Sequence, residues 1–101
     1  MVTRLTKPTA RVLQLLLKAP QEGAYGLELS RDANVGNGTL YPMLIRLERL
    51  GWVESSWEAI DPADAGRPAR RYYRLTGLGR IEAVAVLERN PAVGLDGLAE
   101  A

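Results

Sequence analysis

The chain has 101 residues, 47% of them hydrophobic and 25% charged, and a formal net charge of +1. That is one domain of ordinary size, with enough apolar material for a core and too much of it for intrinsic disorder. There is no cysteine and no histidine, which excludes disulfides, thiolate chemistry and cysteine-ligated zinc and makes a transition-metal site or a metal cofactor unexpected.

The longest apolar run, residues 12–17, is interrupted by Gln14 and is far short of a membrane span. Arg4 and Lys7 are not followed by the long apolar core of a signal peptide. A cytoplasmic location is therefore expected. A domain of this size gains from a core shared with a second copy. The small net charge hides a strong asymmetry: residues 67–80 carry five arginines and no acid, whereas residues 81–101 carry four acids and one arginine. Regional charge of this kind points to partners better than the total does.

Along the chain, Thr6-Lys7-Pro8 opens a helix with a capping hydroxyl and a proline in the first turn. Val12, Leu13, Leu16 and Leu17 recur at helical spacing, and Pro20 ends the helix. Residues 21–24 read as a linker. A short second helix over residues 27–33 presents Leu27, Leu29 and Ala33, and residues 34–38 form a turn. A third helix over residues 39–50 places Leu40, Met43, Leu44, Leu47 and Leu50 on one stripe, with Pro42 tolerated in its first turn and Gly51 closing it.

Residues 52–58 read as a strand with Val53, Ser55 and Trp57 on one side. A loop over residues 59–69 contains Asp61-Pro62 and Gly66-Arg67-Pro68. Residues 70–75 return as a second strand with Tyr73 and Leu75 inward. Thr76 caps a fourth helix over residues 77–89, whose apolar set is Leu78, Ile81, Val84, Ala85 and Leu87. Asn90-Pro91 breaks it, and the glycine-containing remainder is expected to fray.

Helix, helix, helix, strand, wing, strand, helix is the order of a winged helix-turn-helix, a mainly α (α+β) fold of three helices, a two-stranded β-wing and a C-terminal helix. Residues 1–76 form the expected DNA-binding domain, 77–90 a dimerisation helix and 91–101 a flexible tail. The third helix buries its leucines and offers Asn37, Thr39, Tyr41 and Arg46 at or off the other face, next to a helix N-terminus that favours phosphate. Arg67, Arg70 and Arg71 on the wing suit minor groove or phosphate. Arg71→Ala is accordingly expected to weaken binding to every sequence and to flatten its salt dependence. Blander roles compete: Asn37 and Thr39 as helix caps, Tyr41 as partly core, the arginine run as a solvated loop, Trp52 and Trp57 as structural. Glu54, Glu58, Asp61 and Asp64 read as surface charges, and no catalytic residue is expected.

Tyr25-Gly26-Leu27-Glu28-Leu29, Gly38-Thr39-Leu40-Tyr41-Pro42-Met43-Leu44, Arg46-Leu47-Glu48, Gly51-Trp52-Val53, Gly66-Arg67-Pro68, Arg71-Tyr72-Tyr73-Arg74-Leu75-Thr76 and Gly79-Arg80 together resemble the PadR family of bacterial transcriptional regulators, over about residues 8–80. The resemblance implies a homodimeric winged-helix repressor on a palindromic operator, with Asn37, Thr39 and Tyr41 at double-stranded DNA, Arg67, Arg70 and Arg71 in the wing, and dimerisation through the C-terminal helix. Some members sense phenolic acids or hydrophobic drugs, but this chain has no aromatic residue after Tyr73. Ile81, Val84, Ala85 and Leu87, with Val12 and Leu16, are the candidates for the shared apolar surface. Two rival readings are a ligand-responsive regulator, whose small-molecule effector would quench a tryptophan, and a winged helix used only as a protein-interaction module, which would expose an apolar patch in place of a basic wing.

Overall fold

A computed structural model describes residues 5–90; the expected flexible tail, residues 91–101, lies outside them. The order is α1 Lys7–Lys18, β1 Ala24–Tyr25, α2 Gly26–Ala33, α3 Asn37–Arg49, β2 Val53–Trp57, α4 Pro62–Ala65, β3 Arg71–Leu75 and α5 Gly77–Arg89. This is the mixed α+β winged helix expected, with one strand and one helical turn more.

α1, α4 and α5 start where a side chain satisfies a free amide. The Thr6 hydroxyl accepts from the Thr9 amide, Asp61 from that of Ala63 and Thr76 from that of Gly79. α1 stops at Ala19, forced into extended backbone by Pro20. α2 closes on Asn34 in the left-handed region, at φ 56°, and Gly51 follows α3 at φ 80°.

The linker expected at residues 21–24 ends in a strand. Ala24 and Tyr25 pair with Tyr73 and Tyr72 on the free edge of β3, so the sheet runs β1-β3-β2, antiparallel throughout. Two residues carry too short a pattern to announce a strand; β1 exists because β3 offers an unpaired edge. β2 and β3 pair from Val53↔Leu75 through Ser55↔Tyr73 to Trp57↔Arg71.

The core joins Val12, Leu13 and Leu16 of α1, Leu29 of α2, Leu40, Met43, Leu44 and Leu47 of α3, Val53, Tyr73 and Leu75 of the sheet, and Ala83, Val86 and Leu87 of α5. Several expectations are corrected. Leu27, 51% exposed, is on the solvent side of α2, and Leu50, one residue past α3, leaves the stripe. Trp57, 63% exposed, lies beyond the core edge of the hairpin although it shares a side with buried Val53. α3 begins two residues early, at Asn37, because Gly36 in extended backbone accepts the Thr39 and Leu40 amides. Pro42 is then the sixth residue of the helix, past its first turn. It cannot bond the Gly38 carbonyl, and exposed Gly38 leaves that oxygen to solvent.

The largest revision concerns α5. Its inward face is Gly79, Ala83, Val86 and Leu87, while Leu78, Ile81 and Val84 are exposed and Ala85 is half-buried. The close approach at Gly79 sets this rotation: a Cβ there would lie 1.9 Å from the Trp52 carbonyl oxygen. The smallest residue of the helix, not its largest apolar ones, chooses the buried face.

Candidate nucleic-acid interface

α2, its turn and α3 form the helix pair. Arg11 of α1 locks them from behind, its Nε donating at 2.7 Å to the Ala33 carbonyl at the end of α2. Ser30 donates its hydroxyl to the Val35 carbonyl and tightens the turn. With Leu40, Met43, Leu44 and Leu47 buried, α3 shows solvent Asn37, Gly38, Thr39, Pro42, Ile45, Arg46 and Arg49. Neither Asn37 nor Thr39 is the cap. That position is Gly36, with no side-chain bond; the Thr39 amide bonds the Gly36 carbonyl, so the Asn37 and Gly38 amides and the positive pole of the helix are what is open.

Tyr41 is half-buried and packed against the core, as its blander reading allowed. Its hydroxyl is 2.7 Å from where a Gly26 Cβ would stand. α2 and α3 therefore meet through Tyr41 on Gly26, and a side chain at 26 would displace the ring.

The wing arginines differ from a row of free cations. Arg67 forks onto Glu58, Nη1 to Oε1 at 2.8 Å and Nη2 to Oε2 at 3.0 Å. Glu58 also accepts from the Arg70 amide at 3.2 Å. The Arg67 hydrogen bond holds the Glu58 carboxyl below the usual carboxylate range, against a smaller opposing effect of desolvation, and Glu58 raises Arg67 in return. Arg74 pairs with Glu54 at 2.9 Å. The Arg70 guanidinium lies 4.9 Å from the Tyr25 ring centroid, and Tyr25 stands 6.0 Å from Tyr72. Arg71 lies 4.9 Å from the Trp57 ring and donates to the Ser55 hydroxyl at 2.8 Å. Among the described residues, Arg70 and Arg71 have no carboxylate within ion-pair distance. Burial is the main cause that pushes the Tyr73 phenol above its ordinary value.

The acids read as surface charges are used locally: Glu54 and Glu58 in ion pairs, Asp61 as the cap of α4. Among the described residues no group of three His, Cys, Asp or Glu could hold a metal ion, and no helix is long and apolar enough to cross a membrane. Ile45 and the Glu48–Ser55 contact were missed in the sequence. Ile45 is off the leucine stripe and shows no polar signal, and Glu48 meets Ser55 only through tertiary folding.

A family model described as the PadR-like family of transcriptional regulators matches residues 12–85. The chain belongs to the PadR-like family. A PadR family transcriptional regulator from Eggerthella lenta DSM 2243 is 26% identical, with a TM-score of 0.63 over 93% of this chain and 82% of that one. The protein smu.1704 from Streptococcus mutans UA159 shares the fold at 24% identity and a TM-score of 0.65, over 100% of this chain and 95% of that one. None of the curated proteins matches significantly. This PadR-family protein is thus a DNA-binding transcriptional regulator, and its winged helix is the fold of its family. Of the residues expected to dimerise, Ile81 is 69% exposed and Val84 also faces solvent, whereas Leu87, at 1%, is sealed in the protomer's own core together with Val12 and Leu16.

Proposed function

We propose that this PadR-family regulator is a repressor that binds a palindromic operator as a homodimer and blocks transcription by occupancy. The observation that carries the reading is the exposed face of α3, where Asn37, Thr39 and Arg46 stand clear of the core beside an open helix N-terminus. Thr39 and Arg46, seven residues apart, share that face and suit base edges in a major groove, with Ile45 beside them fitting a thymine methyl. Tyr41 would bring its hydroxyl to the backbone. Arg70 and Arg71, with the Glu58-paired Arg67, supply a positive field on the wing side. Leu78, Ile81 and Val84 supply the apolar patch of the dimer. Two-fold symmetry then sets half-sites about 34–36 Å apart, one helical turn. Neutralising three or four phosphates per protomer gives a log–log salt slope of about −3 per protomer and about −6 for the dimer. Occupancy suffices for repression, and the reading requires no small-molecule effector.

Selection from a random duplex pool, followed by titration of the selected and a scrambled duplex at several salt concentrations, tests the proposal. An inverted repeat should emerge. Arg46→Ala should bind the selected site about 5- to 150-fold more weakly, a loss of about 1–3 kcal/mol. Ile81→Glu should shift light scattering from dimer to monomer. Salt-independent binding without sequence preference would leave only the interaction-module reading.

A further inference from the structure

The Ser55 hydroxyl joins two charged groups from different elements. It donates to Glu48 Oε2 at 2.9 Å and receives Arg71 Nη2 at 2.8 Å. The direction of this relay is fixed by chemistry: a guanidinium only donates, a carboxylate only accepts, and the hydroxyl between them has one proton and free lone pairs. Glu48 is the penultimate residue of α3, Ser55 the middle of β2 and Arg71 the first residue of β3. Among the described residues, Glu48–Ser55 is the one side-chain hydrogen bond that ties α3 to the sheet. Trp57, the cross-strand partner of Arg71, covers one face of the guanidinium at 4.9 Å. Arg71 is thus held between a ring and a hydroxyl whose proton points to a carboxylate.

The hairpin needs such a tie. Its last core residue is Tyr73, paired with Ser55 and with Ala24 of β1, and Trp57↔Arg71 lies two residues farther out. At about 3.3 Å per residue that arm is about 7 Å long, so a tilt of about 10° at its base moves the outer pair by about 1 Å. A shift of that size exceeds the tolerance of a hydrogen bond to phosphate.

We propose that Arg71 is a positioning residue: through Ser55 it clamps the wing to the carboxylate of Glu48, and so sets the angle between wing and reading helix, without itself neutralising a phosphate. The inference rests on the reading that α3 and the wing grip one duplex. It reverses the expectation that removing Arg71 flattens the salt dependence.

The experiment compares wild type, Ser55→Ala, Ser55→Thr, Arg71→Ala and the double variant S55A/R71A on the duplex selected by the wild type, over a salt series. Ser55→Ala and Arg71→Ala should each weaken binding about tenfold with the wild-type slope retained. Ser55→Thr, which keeps the hydroxyl on a strand-favouring residue, should stay within about twofold of wild type. The double variant should be no weaker than the worse single one, because both break the same relay. Glu48→Ala, altering neither the wing nor its charge, should reproduce the loss. A slope reduced by about one unit per protomer, about two for the dimer, in Arg71→Ala, with Ser55→Ala binding as wild type, would make Arg71 a phosphate ligand and overturn the proposal. Failure of the underlying reading would show differently, as a wild-type protein with no salt-dependent duplex binding at all.

Discussion

Gly79→Ala isolates the contact that orients α5. A Cβ at this position would stand 1.9 Å from the Trp52 carbonyl oxygen, 2.6 Å from its carbon and 2.8 Å from its Cα. All three atoms are backbone, so no rotamer change relieves the clash. Restoring an ordinary separation of 3.4 Å means moving the start of α5 by about 1.5 Å. That movement pulls on the Thr76 amide, which donates to the same Trp52 oxygen at 2.9 Å. It also withdraws Ala83, Val86 and Leu87 from the core. Overpacking of this kind costs about 3 kcal/mol at the upper end of its usual range, and a weakened backbone hydrogen bond about 1 more. Alanine returns about 1 kcal/mol of helix propensity. The net is about 3 kcal/mol, a large share of the stability of a small domain, and about 12–24 °C in melting temperature. Gly77→Ala is the internal control. It lies two residues away in the same helix with nothing within 4 Å of its Cβ, so it should be neutral or stabilising by up to about 1 kcal/mol. Thermal melts followed by circular dichroism, with urea titrations to check that the m-value is unchanged, measure both variants. If Gly79→Ala melted within about 3 °C of wild type, or the two variants lost stability equally, the steric account of the α5 rotation would be wrong.

Thr76→Ala should cost about 1–2 kcal/mol in urea unfolding and Thr76→Ser little, because the hydroxyl both accepts from the Gly79 amide at 2.9 Å and donates to the Gly51 carbonyl at 2.6 Å. The Arg67–Glu58 pair should make stability pH-dependent. The folded carboxyl has a lowered pKa, so its contribution is complete above the ordinary carboxylate range and falls away as the pH drops toward the folded value. The melting gap between wild type and Arg67→Ala should therefore be widest near neutrality and close in acid. A gap that stays constant into strong acid would remove the ion pair as its cause. Ultraviolet titration should show a tyrosine component above the ordinary phenol value that Tyr73→Phe abolishes. Because burial raises this group in the folded state, the stability it carries is intact at neutral pH and is lost as the pH rises through that titration.

Local patterns along the chain were enough for the architecture. The hydroxyls at Thr6 and Thr76 and the prolines and glycines at Pro20 and Gly51 act on their own neighbours, so helix limits follow from adjacent residues. The leucine spacing of α3 determines which of its faces can meet water, whatever lies opposite, and it leaves Thr39 and Arg46 outside. Tyr73 and Leu75 turned inward because alternation along a strand is a two-residue period. Everything else depended on a partner distant in the chain. β1 forms because Tyr72 and Tyr73 are there to receive it. Charge counting could not separate Arg67, bound to Glu58 across the wing, from Arg70 and Arg71, which lie over Tyr25 and Trp57. The tie from Glu48 through Ser55 to Arg71 leaves no trace in spacing, since its three residues belong to three elements. The face of α5 was set by Gly79 against Trp52, 27 residues earlier. Hydrophobicity ranks side chains by size, whereas close packing of two backbones selects the position that has none, and that choice exists only once the chain has folded.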